Sequence, residues 1–338
     1  MRQSRLPLIL LTGTLGAGKT TLLNKALHDL SMERTAVIVN EFGDVGIDQM
    51  LIQTSSDDTI ELAGGCLCCA VRGAFTDGLT DLLMARRGDF DRVIVETSGL
   101  ADPGPILAAL YAHPFLSTAV TPSGVVCVVD AKRGATALAV EPETMAQVAL
   151  ADRVVLSKTD KYPADTNLLG ALDRSAPSAH RLDSSVEQFS AARAFEPVLL
   201  PRRFAASRVV PHKGLLPPEA VSLTLDRPLS LLRLEQFLDQ LIIMHGHGVL
   251  RIKGLVQTPG MADAPLVVQG VGAVLAPFER LRFWPNSGAA TRLVVIVRGV
   301  DPEDVRRLFA NYTDVAGADL ADSDALADNP LAVPGVRL

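Results

Sequence analysis

A glycine-rich run near the N terminus restricts the fold of this chain more than any other feature. Residues 13–20 fit the pattern G-x-x-x-x-G-K-[ST], directly after an apolar stretch that predicts a strand and directly before a helical pattern. In that setting the glycines let backbone N–H groups converge on phosphates, and the helix adds its positive N-terminal end. A plain glycine turn is the alternative, but the flanking strand and helix favour a phosphate-binding loop.

Two side chains of this phosphate loop (residues 13–20) carry specific chemistry. We expect Lys19 to reach the β- and γ-phosphates of a nucleotide, and the hydroxyl of Thr20 to bind Mg²⁺. The residues assigned to nucleotide binding in and directly after the loop are Gly13, Thr14, Leu15, Gly16, Ala17, Gly18, Lys19, Thr20 and Thr21.

A second polar segment follows the strand predicted at residues 92–95. Glu96 ends this strand, and Gly99 stands three residues later. In a nucleotide-hydrolysing site such a carboxylate holds Mg²⁺ through water or orients the attacking water, and such a glycine N–H senses the γ-phosphate. Lys19, Glu96 and Gly99 form the predicted catalytic set, with Thr20 and Glu96 as the magnesium residues. A capped strand end is the alternative interpretation of Glu96.

Residues 157–160, here called the guanine segment, follow another predicted strand. Their sequence, Ser157-Lys158-Thr159-Asp160, resembles the N-K-x-D element that recognises guanine. Asp160 would accept hydrogen bonds from the guanine N1–H and exocyclic amine, and the stem of Lys158 would pack over the base. Ser157 replaces the usual Asn, so a plain loop remains the competing interpretation.

Residues 40–48 close the second predicted strand with three acids and two glycines. We expect a mobile segment there, placed between the nucleotide and a second site. The residues assigned to this switch are Asn40, Glu41, Gly43 and Asp48.

Three of the four cysteines, Cys66, Cys68 and Cys69, fall within four residues. They are too close in sequence for relaxed disulfides but suit a soft metal such as Zn²⁺. Three thiolates leave one tetrahedral position open, which suits transfer or catalysis better than a closed structural site. A redox-active thiol pair is the competing interpretation. Cys127 lies inside a predicted strand and is expected in the core.

Strand and helix patterns alternate through the first half of the chain, which predicts an α/β fold with a parallel sheet covered by helices on both faces. Beyond a proline-rich stretch the order β-α-β-β-β-α predicts a small α+β domain with an antiparallel sheet. The predicted units are a nucleotide-binding domain with the cysteine site at 1–198, a linker at 199–218, a C-terminal domain at 219–312 and a mobile acidic tail at 313–338.

The charge balance argues against several classes of function. The chain has 32 Lys and Arg against 38 Asp and Glu, a net charge of −6, so a basic face for nucleic acid is not expected. It contains no run of about 18 apolar residues, which argues against a membrane span, and we expect a cytoplasmic protein. His245 and His247 flank a glycine after a predicted helix, and a metal site there is a weaker interpretation than ordinary surface histidines.

Taken together, these motifs resemble the CobW family of P-loop GTPases. The phosphate loop with the run TLLN after it, the C-x-C-C run and residues 96–103 (ETSGLADP) match the family's signatures. So do residues 40–48, the guanine segment with Ser for Asn, and the L-R-x-K-G run at 250–254. The resemblance covers roughly residues 6–308.

The resemblance implies a P-loop NTPase sheet followed by a small α+β C-terminal domain. It also implies a metallochaperone that uses GTP and Mg²⁺ and delivers a divalent transition metal, zinc or cobalt, to a client metalloprotein through the C-terminal domain; a homodimer is compatible with it. The linker departs from metal-handling members because it lacks a His-rich stretch, which weakens the case for metal storage.

Two other functions stay open from the residues themselves. One is a nucleotide-regulated interaction protein in which the zinc is structural. The other is an ATP-driven redox or cluster-handling protein, which nucleotide competition would distinguish because Asp160 should select guanine.

Overall fold

The computed structural model describes residues 5–39, 49–53, 59–63, 71–198, 216, 218–285 and 289–313. The predicted switch with Asn40, Glu41, Gly43 and Asp48 lies outside the described residues, as do the three cysteines Cys66, Cys68 and Cys69. The same holds for the acidic tail beyond residue 313 and for the predicted linker except Leu216 and Pro218.

In this part of the chain, eight strands form the N-terminal sheet in the order β4-β3-β2-β5-β1-β6-β7-β8. Their bounds are β1 Leu6–Gly13, β2 Thr35–Val39, β3 Gln49–Gln53, β4 Thr59–Ala63, β5 Arg92–Glu96, β6 Val120–Asp130, β7 Arg153–Ser157 and β8 His180–Asp183. The six strands from β2 to β8 in this order are parallel, which confirms the predicted fold class. The hairpin of β3 and β4 extends one edge with antiparallel pairing that strand–helix alternation did not predict.

Helices cover both faces of this sheet, because the central strands carry apolar side chains on both sides. On β1, Leu8 and Leu10 belong to one buried core, whereas Ile9 and Leu11 belong to the core that also contains Leu22 and Leu23 of α1. The helices are α1 Lys19–Leu27, α2 Val71–Arg86, α3 Gly104–Ala112, α4 Leu116–Ala119, α5 Gly134–Val140, α6 Pro142–Ala149 and α7 Thr166–Ser175.

The C-terminal domain is an antiparallel sheet with two helices on one face, as the sequence predicts. Its strands are β9 Pro218–Leu225, β10 Val249–Thr258, β11 Met261–Val271, β12 Val274–Leu275, β13 Glu279–Arg280 and β14 Thr291–Arg298, and its helices are α8 Leu231–His245 and α9 Pro302–Thr313. All pairings are antiparallel. The rings of Phe237 and Phe309 meet edge to face at 5.1 Å and join the two helices.

A buried ion cluster joins the second face of this sheet to the N-terminal domain. Asp152 lies between α6 and β7, and its carboxylate accepts from Arg251 at 2.8 Å and from Lys253 at 2.8 Å. Burial alone would raise the pKa of Asp152, but the charges of Arg251 and Lys253 lower it to about 2. Both cations also donate to backbone carbonyls, Arg251 to Leu150 and Lys253 to Val198. The L-R-x-K-G run therefore fastens one domain to the other.

Among the described residues, no helix combines the length and the apolar character that crossing a bilayer requires.

Candidate functional site

The phosphate loop emerges from the end of β1 and turns into α1 beside a cleft of about 330 Å³. Gly13 is required at this exit because its φ is 137° and a Cβ there would lie 2.3 Å from the Val128 carbonyl oxygen of the neighbouring strand. The cleft is lined by Leu15, Gly16, Gly18, Lys19, Thr20, Thr21, Val39, Glu96, Thr97, Ser98, Gly99 and Leu100. The loop and the segment after β5, predicted separately, therefore face one space.

Lys19 begins α1 and is buried beneath the loop. Its ammonium group donates to the carbonyl oxygens of Gly13 at 2.8 Å and Thr14 at 3.2 Å. These contacts hold the cation at the cleft, where an anionic phosphate would be a much stronger acceptor than a neutral carbonyl. The position suits the predicted role of Lys19 as a ligand of the β- and γ-phosphates.

Thr20 and Glu96 meet across the sheet although they are far apart in sequence. The Thr20 hydroxyl donates to Glu96 Oε1 at 2.7 Å, because β5, which ends at Glu96, pairs directly with β1. A hydroxyl beside a buried carboxylate is the kind of oxygen donor set that Mg²⁺ prefers. The residues present therefore fit the predicted magnesium ion.

Gly99 lies directly against the phosphate loop. A Cβ added at Gly99 would stand 2.5 Å from the Leu15 nitrogen and 2.6 Å from its Cα, so only glycine allows this approach. The segment is fixed to β1 at its start, where the Thr97 N–H donates to the Leu11 carbonyl at 2.9 Å. We call residues 97–101 the γ-phosphate segment, after the role predicted for Gly99.

The guanine segment approaches the phosphate loop from β7. The Ser157 hydroxyl donates to the Ala17 carbonyl at 2.6 Å, and Lys158 Nζ donates to the Gly16 carbonyl at 2.8 Å. Lys158 has a φ of 59°, a conformation that non-glycine residues adopt rarely and that is concentrated at functional sites. Asp160 is exposed in the turn that follows. Ser157, which replaces Asn, thus still ties this segment to the loop.

Two carboxylates that the sequence analysis did not single out support the guanine segment. Asp130, at the end of β6, accepts from Lys158 Nζ at 2.6 Å, and Asp183, at the end of β8, accepts from the Thr159 hydroxyl. Burial acts to raise the pKa of Asp130, but hydrogen bonds from Lys158 and the Lys132 N–H hold it below the usual value. For Asp130, the acid at the end of an apolar strand was the available sequence signal; β8, with the sequence HRLD, gave no such signal for Asp183.

Apart from the oxygen pair of Thr20 and Glu96, the described residues form no cluster of metal-ligating side chains. There, no group of three or more His, Cys, Asp or Glu side chains could hold a metal ion, and this includes the region of His245 and His247. Cys127 is buried in β6, and burial raises its pKa to about 12, in keeping with its expected place in the core. The predicted ligands Cys66, Cys68 and Cys69 fall outside the described residues.

Two family models match the chain and divide it between them. Residues 7–184 match the model described as CobW/HypB/UreG, nucleotide-binding domain, and residues 219–313 match the model described as cobalamin synthesis protein cobW C-terminal domain. The first match contains the phosphate loop, the γ-phosphate segment and the guanine segment. The second contains the L-R-x-K-G strand.

Characterised relatives align along most of the chain. A zinc chaperone CobW from Pseudomonas aeruginosa is 34% identical over 343 residues, which cover 88% of this chain and 89% of that protein. The zinc chaperone YjiA from Escherichia coli is 30% identical, covering 89% of this chain and 96% of that protein. The crystal structure of Zn(II)-bound YjiA GTPase from E. coli superposes with a TM-score of 0.63 at 26% identity over 92% of this chain and 99% of that one.

Proposed function

This chain belongs to the CobW family of P-loop GTPases, and we propose that it couples the turnover of Mg-GTP to the binding and delivery of a divalent transition metal. Zinc is the expected metal, since relatives that align along most of the chain are named zinc chaperones, and cobalt is the second candidate. The observation that carries the proposal is one cleft that collects Lys19, Thr20, Glu96 and Gly99, with the guanine segment tied to the same loop.

Nucleotide binding in this proposal divides between two sides of the phosphate loop. Lys19 leaves the loop carbonyls to bind the β- and γ-phosphates, and the backbone N–H groups of the loop enclose the phosphates. On the other side, Lys158 is already held by Asp130 and the loop, so its stem can cover the base while Asp160 accepts from guanine.

Hydrolysis requires water to attack the γ-phosphorus while GDP leaves. When Mg²⁺ is bound, held by Thr20 and Glu96, it neutralises charge that develops on the phosphate oxygens. Glu96 either holds that ion through water or orients the attacking water, and its buried carboxylate stands at the cleft for both roles. Gly99 packs against Leu15, which places the γ-phosphate segment where it can respond to the γ-phosphate.

The two roles of Glu96 can be separated with Glu96→Gln. If Glu96 holds the ion, the concentration of Mg²⁺ needed for half-maximal hydrolysis rises and kcat recovers at high Mg²⁺. If Glu96 orients water, kcat stays low at every Mg²⁺ concentration. An unchanged kcat and an unchanged Mg²⁺ requirement would remove Glu96 from the site.

The cargo site in the proposal is the thiolate run Cys66, Cys68 and Cys69. In the sequence it stands between residues 40–48 and the γ-phosphate segment, the two parts expected to respond to the nucleotide. Ordering those parts around a γ-phosphate would change the fourth ligand or the access to the metal, and so the metal affinity. The client that receives the metal is expected to contact the C-terminal domain.

The proposal is tested by asking whether the two sites separate. Changing Cys66, Cys68 or Cys69 to Ser should each lower Zn²⁺ affinity and leave GTP affinity intact, whereas Lys19→Ala should do the reverse. Both affinities are measured by titration on each variant, with Cys127→Ser as the matched control because that thiol is buried in β6. If Lys19→Ala abolished zinc binding as completely as the cysteine changes, the two sites would not be separable.

Chelation distinguishes delivery from a structural role for zinc. A cargo metal should pass to a chelator faster in one nucleotide state than in the other. Zinc that resists chelation through GTP turnover would instead indicate an interaction protein with a structural metal, and ATP competing as well as GTP would indicate the redox or cluster-handling function.

A further inference from the structure

A fully buried amide from helix α6 holds the γ-phosphate segment. Gln147 has no exposed surface, and its Nε2 donates to the Gly99 carbonyl at 3.1 Å and to the Ala101 carbonyl at 3.0 Å. The NH₂ group has two donors, and both are directed to this one segment. Gln147 thereby contacts the residue whose backbone lies against the phosphate loop.

The contact falls between two fixed ends of the connection from β5 to α3. At its start the Thr97 N–H is bonded to β1, and at its end the Asp102 carboxylate accepts from the Gly104 N–H at 2.8 Å as α3 begins. Between those points Gln147 supplies a side-chain hydrogen bond from another element. Its amide therefore sets the direction of the peptide groups beside Gly99.

Helix α6 is in turn positioned by the C-terminal domain. Ala149, two residues after Gln147, packs in a buried cluster with Ala220, Val294 and Ile296 of the C-terminal sheet. The carbonyl of Leu150, directly after the helix, accepts from Arg251 of the interface cluster. The C-terminal end of α6 thus contacts the C-terminal sheet. Gln147, within one turn of that end, contacts the γ-phosphate segment.

A packing role alone does not explain the choice of glutamine. Its Oε1 is buried and accepts no hydrogen bond from the part of the chain that the structure describes. An unsatisfied buried acceptor costs stability, which a Leu or Met of similar length would avoid. The presence of an amide here indicates that the two donors do something other than fill space.

We propose that Gln147 is a positioning residue for GTP hydrolysis: it holds the carbonyls of Gly99 and Ala101 so that Gly99 stays against the phosphate loop and meets the γ-phosphate. This inference rests on the proposed GTPase mechanism. Preorganised backbone groups of this kind act on the transition state and on the γ-phosphate, whereas GDP lacks the group that they would contact. The loss of Gln147 should therefore affect GTP and its hydrolysis much more than GDP.

The test uses Gln147→Met in the full chain with Mg²⁺, measuring kcat, KM and the affinities for GDP and a non-hydrolysable GTP analogue. Because two hydrogen bonds are lost, we expect kcat to fall roughly tenfold and the analogue affinity to fall by several fold. GDP affinity should stay within about twofold, since the phosphate loop and the guanine segment are unchanged.

Thr144→Val is the matched control, because Thr144 is also buried and lies one turn earlier on α6. Its hydroxyl donates to Glu141 Oε2 at 2.7 Å and not to the γ-phosphate segment. Should Gln147→Met not fold, Gln147→Asn keeps the amide but withdraws it by one methylene, and the same comparison is made with it. The inference is overturned if kcat and analogue affinity match those of Thr144→Val, or if GDP and analogue affinities fall by the same factor. A wild-type chain without GTP hydrolysis would overturn the proposed function instead.

Discussion

Two buried polar clusters in this molecule differ in what they face. At the cleft, Lys19 and Glu96 are 8% and 4% exposed; at the domain interface, Asp152, Arg251 and Lys253 are 7%, 6% and 4% exposed. The interface cluster closes on itself, since both cations bond the same carboxylate. The cleft cluster opens on a space of about 330 Å³. Similar burial thus joins the domains in one place and, in the proposed function, serves ligand binding in the other.

The largest effect is expected when the interface cluster loses its anion. Asp152→Ala leaves the two cations Arg251 and Lys253 buried without a countercharge, and breaking such a cluster costs about 3–5 kcal/mol. The free energy of unfolding, measured by urea denaturation, should fall by that amount. The fraction that stays folded should bind GTP normally; a variant of wild-type stability would show that the cluster does not join the domains.

At the cleft we expect a loss of GTP affinity rather than a loss of stability. Lys19→Ala removes a cation that would bond phosphate oxygens, and charge-assisted hydrogen bonds contribute about 1.5–3 kcal/mol. GTP affinity, measured by calorimetry, should fall roughly 10- to 100-fold, with a much smaller change in the free energy of unfolding than Asp152→Ala produces. Equal losses of stability in Lys19→Ala and Asp152→Ala would contradict the different roles assigned to the two clusters.

Gly99→Ala tests the close approach between the γ-phosphate segment and the phosphate loop. The added methyl would press on the Leu15 backbone at 2.5 Å, and overpacking of this kind costs about 1–3 kcal/mol. GTP hydrolysis should slow accordingly in a steady-state assay. Gly88→Ala is the control, because a Cβ there meets no described atom within 4 Å; similar rates for both variants would contradict the assigned contact.

The smallest effect is the part of the acid destabilisation that Asp152 contributes at the interface. The folded pKa of Asp152, about 2, lies below its ordinary value of 3.8, because Arg251 and Lys253 outweigh the opposing effect of burial. The stabilisation is complete above pH 3.8 and is lost as the pH falls through 2, a change of up to about 2 kcal/mol. Urea denaturation from pH 5 to 2 should show this loss, and Asp152→Asn should lose less stability over the same range by that amount, while the contribution of other carboxylates such as Asp130 remains.

The residues that line the cleft could be predicted from local sequence motifs. The strand–loop–helix setting of residues 13–20 and the acid at the end of β5 are local patterns, and parallel strands bring such ends to one edge of the sheet. The family that these motifs resemble is confirmed by the two family models, and the predicted fold class is confirmed by the parallel sheet.

The supporting polar residues were harder to foresee. The contacts of Asp130 with Lys158, of Gln147 with Gly99 and of Asp152 with Arg251 join residues 28 or more positions apart, and no spacing rule connects such pairs. The β3–β4 hairpin was missed because its two strands are only five residues each and lie at the sheet edge. Long-range polar contacts and short edge strands depend on tertiary placement rather than on local pattern.

The coupling of nucleotide and metal is tested most directly by Zn²⁺ competition titration against a chromogenic chelator, on one preparation with Mg²⁺ and either a GTP analogue or GDP. We predict different zinc affinities in the two states, by roughly fivefold or more if the coupling is of ordinary size. By reciprocity, zinc must then change the ratio of analogue to GDP affinity by the same factor. Equal zinc affinities in the two nucleotide states would contradict the coupling.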